Sequence, residues 1–295
     1  MKIIQYLCAN LMIGVFDSGL GGLTILKSIR RKLPQYDYLF VGDNARAPYG
    51  TRSFEVVYEY TLQAVKYLFA QGCPLVILAC NTASAKALRT IQQNDLPLLW
   101  KERSCDTMPS PQLRRVLGII RPTAEKTGDF TLTRHVGILA TPGTITSCSY
   151  PIEINKLYPD ISVVQQACPM WVPLVENGEH NQSGADYFVD KYVQEILRAD
   201  SLIDTLLLGC THYPLLQAKI EASVARYATR PVRVIAQGDI IADSLADYLR
   251  RHTDLAALCT KGGELTCQTT ESAEKFSQAA GLFMKEPVVA QHINL

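Results

Sequence analysis

Apolar positions fall into short continuous runs, each followed by a longer stretch with helical spacing. "MIGVFD" (12–17) leads through a glycine-rich turn into "LTILKSIRRKL" (23–33), and "YDYLFVGD" (36–43) leads through "NARAPYG" into "SFEVVYEYTLQAVKYLFAQG" (53–72). "PLVILAC" (74–80) precedes "NTASAKALRTIQQ" (81–93). Strands that are apolar throughout, rather than at alternate positions, predict parallel sheets covered by helices on both faces. The polar, proline-containing "KERSCDTMPSPQL" (101–113) interrupts this rhythm and reads as a linker. The rhythm then resumes from "RRVLGIIRPTAEKT" (114–127) to "VRVIAQ" (232–237) and "GDIIADSLADYLRRH" (238–252), while "KGGELTCQTT" (261–270) suggests an antiparallel edge strand.

The expected fold class is therefore α/β, with two similar halves, each a mostly parallel sheet flanked by helices, and a cleft between them. The first half is assigned 1–103 with 238–295, the second 113–237, and the linker 104–112. Residues 1–11 read as a dispensable extension ahead of the first strong strand.

Two strands end in the same way. "LVILACNTASAKAL" (75–88) and "LLLGCTHYPLL" (206–216) each put a thiol at the carboxyl end of an apolar run, followed by hydroxyl or amide side chains and a helix. In open α/β sheets ligands bind beyond those strand ends. A cysteine in such a place is most often a small core hydrophobe. A matched pair is harder to explain that way. Thiols at helix N-termini are expected to have lowered pKa values. Two of them facing one ligand from opposite sides could remove a proton from one face of a carbon and return one to the other.

Asp17 ends a third strand, in "GVFDSGLGGLT", where it either caps the next helix or serves the site. The turn after it fails the G-x-G-x-x-G spacing, since Thr24 stands where the last glycine belongs, so the resemblance to a dinucleotide fingerprint is discounted. Its glycines would instead let backbone N–H groups approach a small anion. His212, beside Cys210 at a helix start, is expected to stay largely neutral near pH 7 because the helix dipole opposes its charge.

Composition narrows the partners. The 295 residues carry a formal net charge of +1 with both signs mixed along the chain, which argues against nucleic acid. No apolar run reaches bilayer-spanning length, so no membrane role is expected. Nine cysteines, without a C-x-x-C pair, fit reduced thiols in the cytoplasm better than disulfides or a zinc site, and no metal is expected.

Taken in order, "IGVFDSGLGGLT", "APYG", "LACNTASA", "ATPGTITSCSY", "CPMWVPLVE" and "LGCTHYPLL" resemble the glutamate racemases of the aspartate/glutamate racemase superfamily, over residues 12–250. The resemblance implies cofactor-independent racemisation of glutamate, supplying D-glutamate for peptidoglycan, by a homodimer. It places Cys80 and Cys210 as the two acid/base thiols, the first acting on the D- and the second on the L-enantiomer. Asp17 would assist the first and His212 the second. Ser18, Tyr49, Gly50, Asn81, Thr82 and Thr211 fall on substrate-binding positions, with Thr144 and Glu176 tied to the site. Many members carry an acidic residue and serine after the final strand, where this chain has "IAQGD" with Gln237. That departure bears on a hinge-side contact rather than on the chemistry.

Four other readings compete. An aspartate racemase would share most motifs. A pyridoxal-phosphate racemase would need a lysine in a phosphate-lined cup, and Lys86 sits on an expected helix. A thiol redox protein would need two neighbouring cysteines. A non-catalytic amino-acid-binding module would leave a thiol on each side unexplained.

Overall fold

The computed structural model describes residues 11–100 and 113–295, so the expected linker over 104–112 and all but the last residue of the expected extension over 1–11 lie outside the described residues. Strands β1 (Ile13–Asp17), β2 (Tyr38–Gly42), β3 (Leu75–Leu78) and β4 (Arg115–Gly118) join β9 (Leu265–Thr269) and β10 (Ala290–His292) in one sheet, ordered β10-β9-β2-β1-β3-β4. A second sheet runs β6-β5-β7-β8, formed by β5 (His135–Ala140), β6 (Ser162–Ala167), β7 (Thr205–Gly209) and β8 (Arg233–Ile235). Every strand pairing is parallel. The order 2-1-3-4 in one half is repeated as 6-5-7-8 in the other, and this is the source of the two matched strand ends.

The central strands β1, β2, β3 and β7 are buried at every position, as the unbroken apolar runs require. Their side chains alternate between two packing layers. In β3, Leu75 and Ile77 enter one core cluster and Val76 and Leu78 another. The first of these clusters continues through Leu139, Trp171, Leu206 and Leu208, so the two sheets share a single apolar layer between them. Helices Leu23–Lys32 and Gly238–Arg251 pack against each other across this junction.

Two sequence expectations change. The strand at 265–269 is neither antiparallel nor at the edge; it lies parallel between β2 and β10. Helices Gly238–Arg251 and Thr253–Leu258 precede it, and a helical crossover delivers a strand parallel to its neighbour where a hairpin would not. Residues 115–118, grouped with the second half, pair with β3 in the first sheet. The apolar pattern marks a strand there but carries no information on which sheet it joins.

Candidate active site

One cavity, of about 80 Å³, opens beyond the carboxyl ends of both sheets. At roughly 10–15 Å³ for each water-sized position, that suits a small metabolite. The first half contributes Ser18 after β1, Tyr49 and Gly50 after β2, and Cys80, Asn81 and Thr82 after β3. The second contributes Thr141 and Pro142 after β5, Val172 and Glu176 from the segment after β6, and Cys210, Thr211 and His212 after β7. Cys80 and Cys210 thus face one space from opposite halves, both almost fully buried.

Each thiol has its own surroundings. Cys80 caps helix Asn81–Lys86, its Sγ accepting from the N–H of Ala83 at 3.4 Å and lying 3.4 Å from the Ser18 hydroxyl. The expected lowering of its pKa is overturned: burial first, and then the negative charge of Asp17, push the thiol up to about 12. A six-residue helix offers too little dipole to offset the loss of water. Cys210 Sγ lies 3.9 Å from Nδ1 of His212, whose Nε2 is 3.0 Å from the Glu176 carboxylate.

The neutral His212 expected from the sequence is also overturned. Burial pulls the imidazolium down, but the Cys210 sulfur and the Glu176 carboxylate outweigh it and raise the pKa to about 10. The helical turn after His212 is a four-residue 3₁₀ segment, so the opposing dipole is small, and the Cys210 and Glu176 side chains decide the charge. Glu176 was weak as a single residue in the sequence; its position on the imidazole was not legible there.

Asp17 is fully buried behind the cavity rather than lining it. Its oxygens accept from the N–H of Gly19 at 2.8 Å and the Thr211 hydroxyl at 3.2 Å, so a carboxylate of the first half grips the loop of the second. Burial raises its pKa, opposed by the nearby His212 charge. The glycines after it allow this contact. A Cβ at Gly21 would lie 2.3 Å from the Thr211 hydroxyl and 2.5 Å from Nδ1 of His212, and one at Gly22 would lie 2.5 Å from Asp17.

The remaining candidates divide. Thr82 lines the cavity, while Thr144 sits behind it, with Thr141 and Thr144 hydroxyls 3.0 and 3.4 Å from that of Thr82. The Tyr49 phenol donates to buried Asp43, which also accepts from Arg46 Nε at 2.6 Å, so that hydroxyl proton is already engaged. Asp43 was missed, although it follows β2 much as Asp17 ends β1. Thr141, also missed, follows β5, the counterpart of β1. Among the described residues no group of three or more potential ligands could hold a metal ion, and no helix is long and apolar enough to cross a membrane.

Two parallel sheets with paired thiols at their strand ends define a two-half α/β protein with an interfacial site. The chain belongs to the Asp/Glu/hydantoin racemase family, whose family model matches residues 13–245. It is 37% identical over 286 residues to a glutamate racemase of Dinoroseobacter shibae, covering 94% of this chain and 96% of that one. It is 38% identical over 259 residues to one of Geobacter metallireducens, covering 88% and 83%. A crystal structure of glutamate racemase from Francisella tularensis in complex with D-glutamate matches with a TM-score of 0.79 at 29% identity, over 97% of this chain and 98% of that one.

Proposed function

We propose that this chain interconverts L- and D-glutamate without a cofactor, by two-base proton transfer at the α-carbon, and supplies D-glutamate for peptidoglycan in the cytoplasm as a homodimer. The observation that carries the reading is the single cavity lined by Cys80 from one half and Cys210 from the other. The substrate follows from the curated relatives, which bear the name glutamate racemase.

With L-glutamate, Cys210 as thiolate removes the α-proton, and the Cys80 thiol delivers its proton to the opposite face. The Cys210 sulfur lies 3.9 Å from Nδ1 of His212, a ring placed to exchange a proton with it. The high pKa of Cys80 suits a group that must hold its proton until then. With D-glutamate the roles reverse: Cys80 as thiolate removes the α-proton and the Cys210 thiol delivers its proton to the opposite face. Asp17 and His212 set the charge around the two sulfurs. Ser18, Asn81, Thr82 and Thr211, with the backbone of Tyr49 and Gly50, hold the substrate's polar groups, Thr144 supports Thr82, and Glu176 holds His212.

Incubation with either enantiomer in heavy water tests this: deuterium is expected at the α-carbon of the product. Cys80→Ser and Cys210→Ser are each expected to lose about 10²–10⁴-fold in racemisation, the usual contribution of a positioned acid or base. Normal turnover in either variant would falsify the assignment.

A further inference from the structure

We infer that Gln237 is a positioning residue for the reaction, acting through Asn81 as the pin where the chain's two passages between the halves meet. The first passage leaves β4 and enters helix Ile120–Phe130; the second leaves β8 and enters helix Gly238–Arg251, with Gln237 between strand and helix. Gln237 is 2% exposed and does not line the cavity. It touches both passages: its Nε2 donates to the Thr123 hydroxyl at 2.8 Å, with the Ile119 carbonyl at 3.4 Å.

The proton directions close on themselves. The Thr123 hydroxyl is spent on the Ile119 carbonyl at 2.8 Å, so it can only accept from Gln237. The second Nε2 hydrogen goes to the Tyr150 hydroxyl at 2.7 Å, which therefore donates its own proton to Oδ1 of Asn81, also at 2.7 Å. The Asn81 Nδ2 then donates back to Oε1 of Gln237 at 2.7 Å. Asn and Gln carry two donors and two acceptor lone pairs, and a hydroxyl one donor and two. With the Gln237 nitrogen turned to the Ile119 carbonyl, which can only accept, the ring holds the Asn81 amide in this orientation, with a second Nδ2 hydrogen left over.

Asn81 directly follows Cys80 and lines the cavity. A fixed amide therefore presents a donor, not an acceptor, to a carboxylate-bearing substrate held against Cys80. Glutamate in that position of Gln237 would reverse the logic. A carboxylate can only accept, so Tyr150 would turn its proton towards it, Oδ1 of Asn81 would lose its partner, and the amide would be free to flip.

This inference rests on the glutamate-racemising reading of the site, so turnover of glutamate by the wild-type enzyme is established first. Steady-state constants in both directions are then measured for Gln237→Glu, Tyr150→Phe, Asn81→Ala and the double variant of Asn81→Ala with Gln237→Glu. Loss of one hydrogen bond to a charged group is worth about ten-fold or more. KM is expected to rise by about that factor in Gln237→Glu and in Tyr150→Phe, with kcat falling by less. In the Asn81→Ala background Gln237→Glu is expected to add little further, because the amide it orients is gone. Tyr150→Phe keeps the ring and removes only the hydroxyl, so it carries the test if Gln237→Glu folds poorly. A wild-type enzyme that turns over glutamate, together with an unchanged KM in Tyr150→Phe or fully multiplying effects in the double variant, overturns the inference and leaves the two-thiol reading standing.

Discussion

The Glu176 carboxylate lies 3.0 Å from Nε2 of His212, while the opposite nitrogen of that ring faces Cys210. Glu176 ends the short helix Trp171–Glu176 and is partly open to solvent, whereas His212 is buried. The carboxylate therefore reaches the imidazole from the rim of the cavity and makes a charged ring tolerable at its floor.

A pH dependence of stability follows. The folded-state pKa of His212, raised to about 10, lies above its unfolded value of about 6.5. The stabilising contribution is therefore complete below about pH 6.5, falls as pH rises, and is gone above about pH 10. Glu176→Gln removes the Glu176 charge, one of the causes of that rise, and lowers the folded-state value. Thermal midpoints of wild type and Glu176→Gln are expected to differ most near pH 6–7 and to converge above pH 10. A constant offset across that range would mean that the imidazole is not charged by its neighbours.

A different charge controls the other thiol. After burial, the negative charge of Asp17 is the next cause holding the Cys80 pKa up at about 12. Asp17→Asn keeps an oxygen for the Gly19 N–H or the Thr211 hydroxyl but removes the charge. The thiolate fraction of Cys80 is expected to rise about ten-fold for each unit by which its pKa falls. Alkylation of the Cys80 peptide, followed by mass spectrometry at pH 8, should accelerate accordingly. An unchanged rate would show that Asp17 is already neutral in the free enzyme, its own pKa being raised by burial.

What was legible in the sequence and what was not divide along the same line as local and distant contacts. The apolar runs at 13–17, 75–78 and 205–209 announced buried parallel strands, and the thiols following two of them marked both half-sites. Strand order was not legible: residues 115–118 and 265–269 have ordinary strand patterns, and only pairing partners decide their sheet and direction. Charge was not legible either. The state of His212 depends on Glu176, 36 positions away, and that of Cys80 on Asp17, 63 positions away. Helix-end arguments used only the adjacent residues and gave the opposite sign for both.

Ser18 sharpens the picture of the Cys80 half-site. The Ser18 hydroxyl at 3.4 Å is one of two groups whose hydrogen bonds lower the thiol's pKa, against burial and Asp17. Ser18→Ala should therefore push Cys80 further up and slow the D-to-L direction, in which Cys80 must act as base. A several-fold loss in kcat/KM for D-glutamate at pH 7 is expected, shrinking as pH is raised. Equal loss at every pH would assign Ser18 to substrate contact alone.

The glycine turn offers the most direct test of how closely the halves approach. At Gly21 an added Cβ would stand 2.3 Å from the Thr211 hydroxyl and 2.5 Å from Nδ1 of His212, well inside contact distance. Neither atom can retreat freely. Thr211 is bonded to Asp17, and the His212 ring is held between Glu176 and Cys210. Gly21→Ala must then part the Asp17 loop from the Cys210 loop or rotate the imidazole, and overpacking of this kind costs about 1–3 kcal/mol. The expected outcome is a lower thermal midpoint together with a drop in turnover of about ten-fold or more, since small displacements of a catalytic group are expensive in rate. Ser28→Ala, half-buried on helix Leu23–Lys32 and lining a cavity that neither thiol reaches, serves as the control with turnover near wild type. Full activity in Gly21→Ala would mean that the two loops are not held together in solution as closely as these distances require.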